Sequence, residues 1–118
     1  MYVDGFVIPV PKKQLAVYKK MAKDSAKVWL KHGAVSYVEC VADDVKAGKV
    51  TSFPQSVKLK KGEVVIFAWA TYKNRKHRDQ VMKKVMTDPE MTGSGDPSTW
   101  PFDAKRMFFG GFESFVNL

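Results

Sequence analysis

The run Tyr2 to Ile8 is rich in β-branched and aromatic residues and meets Pro9 and Pro11, which predicts a strand that stops at a turn. From Lys12 to His32 the apolar residues Leu15, Tyr18, Ala22, Ala26 and Trp29 recur at steps of three and four, and Val17, Met21 and Val28 widen the stripe. Lys19, Lys23, Lys27 and Lys31 form a second, solvated line, so the segment predicts an amphipathic helix, with Gly33 as its stop. Ala34 to Ala42 reads as a second strand, followed by a polar connection to Gly62 in which Ser52-Phe53-Pro54 offers an apolar ring. Val64 to Tyr72 is the densest β-branched and aromatic run and predicts a central strand covered on both faces. Asn74 is the candidate N-cap of a helix that buries Val81, Met82 and Val85 and ends near Asp88-Pro89. A loop rich in Gly and Pro leads to a last strand, Arg106 to Val116.

The order β-α-β, β-α-β predicts an α+β protein: a ferredoxin-like βαββαβ antiparallel sheet with both helices on one face. Its first and third strands are then central neighbours. At 118 residues the chain has the size of one domain, 1–118. The second face of so apolar a sheet needs a cover, most simply a second copy of the chain.

Alternation assigns the strand faces if no bulge intervenes. Val3, Gly5, Val7, Val38, Cys40, Ile66, Ala68 and Ala70 suit the close approach of helices, and Cys40 is then a core thiol. The opposite set contains Tyr2, Asp4, Phe6, Tyr37, Glu39, Phe67, Trp69 and Thr71, with Met107, Phe109 and Glu113. Large rings beside carboxylates resemble a pocket lining, so Tyr37, Trp69, Phe67, Met107 and Phe109 are the candidate ligand-binding residues. Asp4 and Glu39 are the candidate catalytic carboxylates: loss of water would raise the pKa and make either a usable general base. The structural alternative is that each is hydrogen-bonded or paired with Arg106 or a lysine at a dimer seam. Gly110 and Gly111 mark a bulge or a close backbone contact.

The net charge of +8 invites a nucleic-acid reading, but its distribution argues against a specific one. Lys12 to Lys31 holds net +6 and Lys73 to Lys84 net +5, which leaves −3 elsewhere, with Asp4, Glu39 and Glu113 on the strands. The basicity is the outer coat of two helices, while base-stacking sheets need positive charge beside their rings. The single Cys40 excludes a disulfide framework within the chain and multi-cysteine metal sites. His32 and His77 lie on separate elements, so no metal or other cofactor is expected. No run approaches a membrane span and Asp4 spoils a signal peptide, which points to a cytoplasmic protein. Gly93-Ser94-Gly95 lacks the ending of a phosphate loop. HRD at His77 to Asp79 reads as the first turns of a helix, with Arg78 and Asp79 tied to a neighbouring loop. Trp100 and Phe53 each suit either the mouth of a pocket or a dimer contact.

Five separated blocks carry a resemblance: MYVDGFVIPVP from Met1, YVEC from Tyr37, DDVKAGKVTSFP from Asp43, HRD from His77 and PFDAKRMFFGGFE from Pro101. Together they resemble the YbaA-like family of small uncharacterised bacterial proteins; the stretch MTGSGDPST from Met91 departs from it. The resemblance implies ferredoxin-like protomers paired face to face as a dimeric α/β barrel and implies no reaction. The functional expectation is a homodimer that binds a small, partly apolar molecule in each barrel, with cofactor-independent catalysis open. The alternative is a non-catalytic interaction or stress-response homodimer with a filled barrel.

Overall fold

A computed structural model of the chain describes residues 1–93 and 95–118, without the side chain of Thr92. Strands β1 (Tyr2–Pro11), β2 (Ser36–Val41), β3 (Glu63–Tyr72) and β4 (Phe108–Glu113) form one antiparallel sheet in the order β2-β3-β1-β4. Helix α1 (Leu15–Lys31) joins β1 to β2, and α3 (Arg75–Thr87) follows β3. Two short helices, α2 (Phe53–Ser56) and α4 (Pro89–Thr92), lie in the connections. Of the Gly93-Ser94-Gly95 loop that the sequence suggested, Ser94 falls outside the described residues. Among the described residues no helix is long and apolar enough to cross a membrane.

Local signals account for the helix ends. Gly33 takes φ +105° behind α1, and its N–H donates to the Leu30 carbonyl at 3.1 Å. Asn74 accepts from the His77 N–H at 2.8 Å and caps α3, whereas Ser52 caps α2. On α1 the buried residues are Tyr18, Ala22, Val28 and Trp29, while Val17 points outward at 63% exposure, so the stripe is narrower than the sequence suggested.

Strand β1 does not stop at Ile8. It runs through Pro9 to Pro11, paired with β3 down to Glu63. The Lys12 N–H donates to the Gly62 carbonyl on the β3 side, so by alternation the nitrogens of Pro9 and Pro11 face the other edge. That edge is unpaired past Val7, where β4 ends, and a missing N–H there costs nothing.

Both long helices pack on one face. Tyr2, Ala70 and Tyr72 meet Val28 and Trp29 of α1 and Val81 and Val85 of α3, while Ile8, Val10 and Ile66 meet Tyr18 and Ala22. On the opposite face the connection before β3 covers only one end, with Val57 and Leu59 on Val7 and Val65. Central β3 is therefore not covered on both faces: Phe67 is 43% exposed. The β1–β4 ladder passes Gly110 and Gly111 without a bulge. Gly111 marks a close contact instead, since a Cβ there would run into the Tyr2 ring and hydroxyl and stand 2.8 Å from Arg78 Nη2.

Candidate functional site

Register decides which candidate residues meet. Asp4 and Phe6 lie opposite Ala70 and Ala68 on one side of β3, and Tyr37 and Glu39 lie opposite the same two alanines on the other. Asp4, Tyr37, Glu39 and Phe109 consequently share the helix face with Ala68 and Ala70, whereas Phe67 and Trp69 point to the open face. This corrects the facing inferred from side-chain size. The helix face is lined by large rings whose polar tips are bonded, and the small residues of β3 make room for them. Cys40 lies on the open side and is exposed, not a core thiol. Met107 precedes β4 and packs against the cluster of Ile8, Val10, Tyr18, Ala22 and Ile66.

Asp4 is 2% exposed, and its Oδ2 accepts from the Tyr72 hydroxyl at 3.0 Å. That hydroxyl in turn accepts from Trp29 Nε1 at 3.1 Å. Arg78 reaches down from α3 rather than to a loop: Nη1 lies 3.4 Å from Asp4 Oδ1 and Nη2 donates to the Tyr2 hydroxyl at 3.1 Å. Its guanidinium sits 5.0 Å from the Tyr2 ring centroid. Burial pushes the Asp4 pKa above its ordinary value, and the bond from Tyr72 and the charge of Arg78 oppose that rise only in part.

Glu39 is half-buried on edge strand β2 and accepts two phenols, Tyr18 on Oε1 at 2.5 Å and Tyr37 on Oε2 at 2.7 Å. Burial first, and then the charge of Glu39, drives both phenol pKa values well up, so both hydroxyls stay protonated as donors. The Tyr37 ring also meets Trp29, with centroids 5.3 Å apart, which links this cluster to the Asp4 network. Above Glu39 a groove of about 400 Å³ opens between α1 and β2. Tyr18, Ala22, Ala26, Tyr37 and Ile66 line it, and Lys19 and Lys23 stand along it.

Arg106 pairs with neither Asp4 nor Glu39. It clasps Glu63 with two bonds of 2.8 and 2.6 Å, reaches Asp103 at 2.8 Å, and donates to the carbonyls of Val57 and Lys58. Trp100 stacks on Phe102 at 5.6 Å beside a second groove of about 570 Å³ bordered by this clasp. Phe53 packs on Phe67, which packs on Trp69, with centroids 5.7 and 5.6 Å apart. His77 Nδ1 accepts from the Lys73 N–H, and His32 Nε2 lies 2.6 Å from Asp88. Among the described residues no three His, Cys, Asp or Glu side chains gather as a metal site requires. Sequence reasoning missed Tyr18 as a site residue; its place one turn before Ala22 on the buried stripe, with a hydroxyl needing a partner, was the available signal.

The chain is 44% identical over 116 residues to "Uncharacterized protein YbaA" of Escherichia coli (strain K12), covering 98% of this chain and 97% of that protein. The protein of the same description from Shigella flexneri matches equally. A family model described as "Protein of unknown function (DUF1428)" matches residues 1–104. Among solved structures, an uncharacterized NIPSNAP domain protein from Burkholderia xenovorans matches over 99% of both chains with a TM-score of 0.56. At 12% identity that likeness is one of fold alone.

Proposed function

The chain belongs to the DUF1428 family of proteins of unknown function, and from that footing we propose a ferredoxin-like protomer that pairs as a dimeric α/β barrel and holds a small, partly apolar molecule in its α1–β2 groove. The observation that carries the binding reading is Glu39: a carboxylate held by two protonated phenols at the floor of an open, ring-lined groove. Two donors orient the carboxylate and leave lone pairs for a third, which is the arrangement of a ligand anchor rather than of a closed ion pair. Asp4, by contrast, is sealed beneath α3 and has a structural role. Pairing is supported by the open face, where Phe67, Phe108 and Phe112 are 43%, 46% and 66% exposed around Trp69. Full burial of such a ring is worth about 1.5–3 kcal/mol, of which the exposed part of each, roughly half, is still to be gained, and a second copy presents the matching surface. A lone unpaired cysteine suits a reducing, cytoplasmic setting.

The binding test is a thermal-shift screen against small aromatic and aliphatic metabolites, run in parallel on Ala26→Phe, which fills the groove from a half-buried helix position. Hits that vanish in the variant support the site; hits that persist place the ligand elsewhere. Light scattering tests the pairing, with a mass twice 13.3 kDa expected and Phe67→Glu returning the protomer.

A further inference from the structure

We infer that the α1–β2 groove selects a small hydroxy acid: a flat apolar body with a carboxylate at one end and a hydroxyl at the other. This rests on the ligand-binding reading above and adds which ligands the groove accepts. The groove carries opposite charges, a carboxylate from β2 and two lysines from α1. Glu39 forms the floor, where an anion is repelled and a hydroxyl donor is received beside the two phenols. Lys19 and Lys23 stand one helical turn apart on the α1 wall. Neither has a carboxylate within 4.0 Å among the described residues, whereas neighbouring Lys20 is paired with Asp24 at 3.4 Å. Two unpaired cations along one wall suit a carboxylate and oppose an amine.

The middle of the groove sets the body of the ligand. Ala22 and Ala26, again one turn apart, leave a shallow slot against Tyr37 and Ile66 that admits a flat apolar group. A volume of about 400 Å³ falls near the low end of ligand sites, which run to ~1,000 Å³, so the fit is to a single ring and not to a nucleotide or a macrocycle. A ligand without the hydroxyl would cover the Glu39 carboxylate without replacing its water, and one without the carboxylate would ignore both lysines.

The test is an NMR shift titration of the full chain with three probes: 4-hydroxyphenylacetate, phenylacetate and 4-methylphenol. The hydroxy acid is expected to bind at least tenfold tighter than either of the others, with shifts at Tyr18, Tyr37 and Glu39. In Lys19→Ala/Lys23→Ala, two exposed positions where alanine keeps the helix, its affinity falls to that of 4-methylphenol, whose own affinity is unchanged. Equal binding of all three probes, or no effect of the lysine variant, overturns the hydroxy-acid selectivity and leaves a nonspecific ligand groove standing. No shift in the groove from any probe at millimolar concentration overturns both.

Discussion

Arg78 Nη1 stands 3.4 Å from Asp4 Oδ1 without making a hydrogen bond to it, so the cation steadies the buried carboxylate through charge. Removing it with Arg78→Met leaves Asp4 in an apolar interior with one bonded oxygen. Breaking a fully buried pair costs about 3–5 kcal/mol. The Arg78 side chain keeps 22% exposure, so the expected loss at neutral pH is nearer ~2–3 kcal/mol, read from urea denaturation midpoints.

The pH dependence of Asp4 has a definite sign. Burial raises its pKa above 3.8 in the folded chain, so the native state holds that proton more tightly than the unfolded state does. The resulting stabilisation is full below the ordinary value and is lost as pH rises through the folded one. The stability of the parent relative to Asp4→Asn should therefore fall as pH is raised across that interval and level off above it. A relative stability that climbs with pH would show that Arg78 and Tyr72 outweigh burial.

Asp88 behaves in the opposite sense. The Glu90 N–H, His32 and Lys31 all bond its carboxylate and hold its pKa well below the carboxylate range. Stability from a depressed acid is present above the ordinary pKa and disappears as pH falls through the folded value. Asp88→Asn is expected to melt lower than the parent at neutral pH, with the two melting temperatures converging on acidification. A constant gap between them would assign the effect to capping geometry instead of charge.

Arg106→Lys keeps the charge and loses the fork. A lysine cannot make two parallel bonds to Glu63 while also reaching Asp103 and the carbonyls of Val57 and Lys58. A loss of about 2–3 kcal/mol is expected, the worth of one or two bonds to a charged partner.

Gly111→Ala should destabilise by about 1–3 kcal/mol, because the new methyl meets the Tyr2 ring and Arg78 rather than open space. Calorimetry reads the loss, and the Arg78→Met background should relieve part of it by removing one of the colliding groups.

The two long helices and their end residues Gly33 and Asn74 were legible in the sequence because each depends on spacing within one segment, and the strand order followed from the order of the elements, whereas the short helices α2 and α4 carried no periodic signal. The faces of β1 and β2 were not, because facing depends on cross-strand register. Val3 and Gly5 look like helix-facing positions by size, yet Asp4 and Phe6 are the ones that sit beside Ala70 and Ala68. The two alanines of β3 accommodate Tyr37 and the helix side chains Tyr18 and Trp29, so small residues on one strand signal large neighbours on the next. This is why Asp4 and Glu39 do share a face, as expected, while Trp69 lies behind the sheet. The Arg106–Glu63 and Lys31–Asp88 pairs span 43 and 57 positions, and no local pattern announces which opposite charges will meet across such separations.

Pro9 and Pro11 limit how the sheet can grow. Along the overhang of β1 beyond Val7, two successive outward positions have no N–H to lend, so an incoming strand would find acceptors without donors and could not extend the ladder. The overhang of β1 therefore cannot serve as a template for a further strand, which leaves the outer edges of β2 and β4 as the only ladders of this sheet, among the described residues, that another strand could extend.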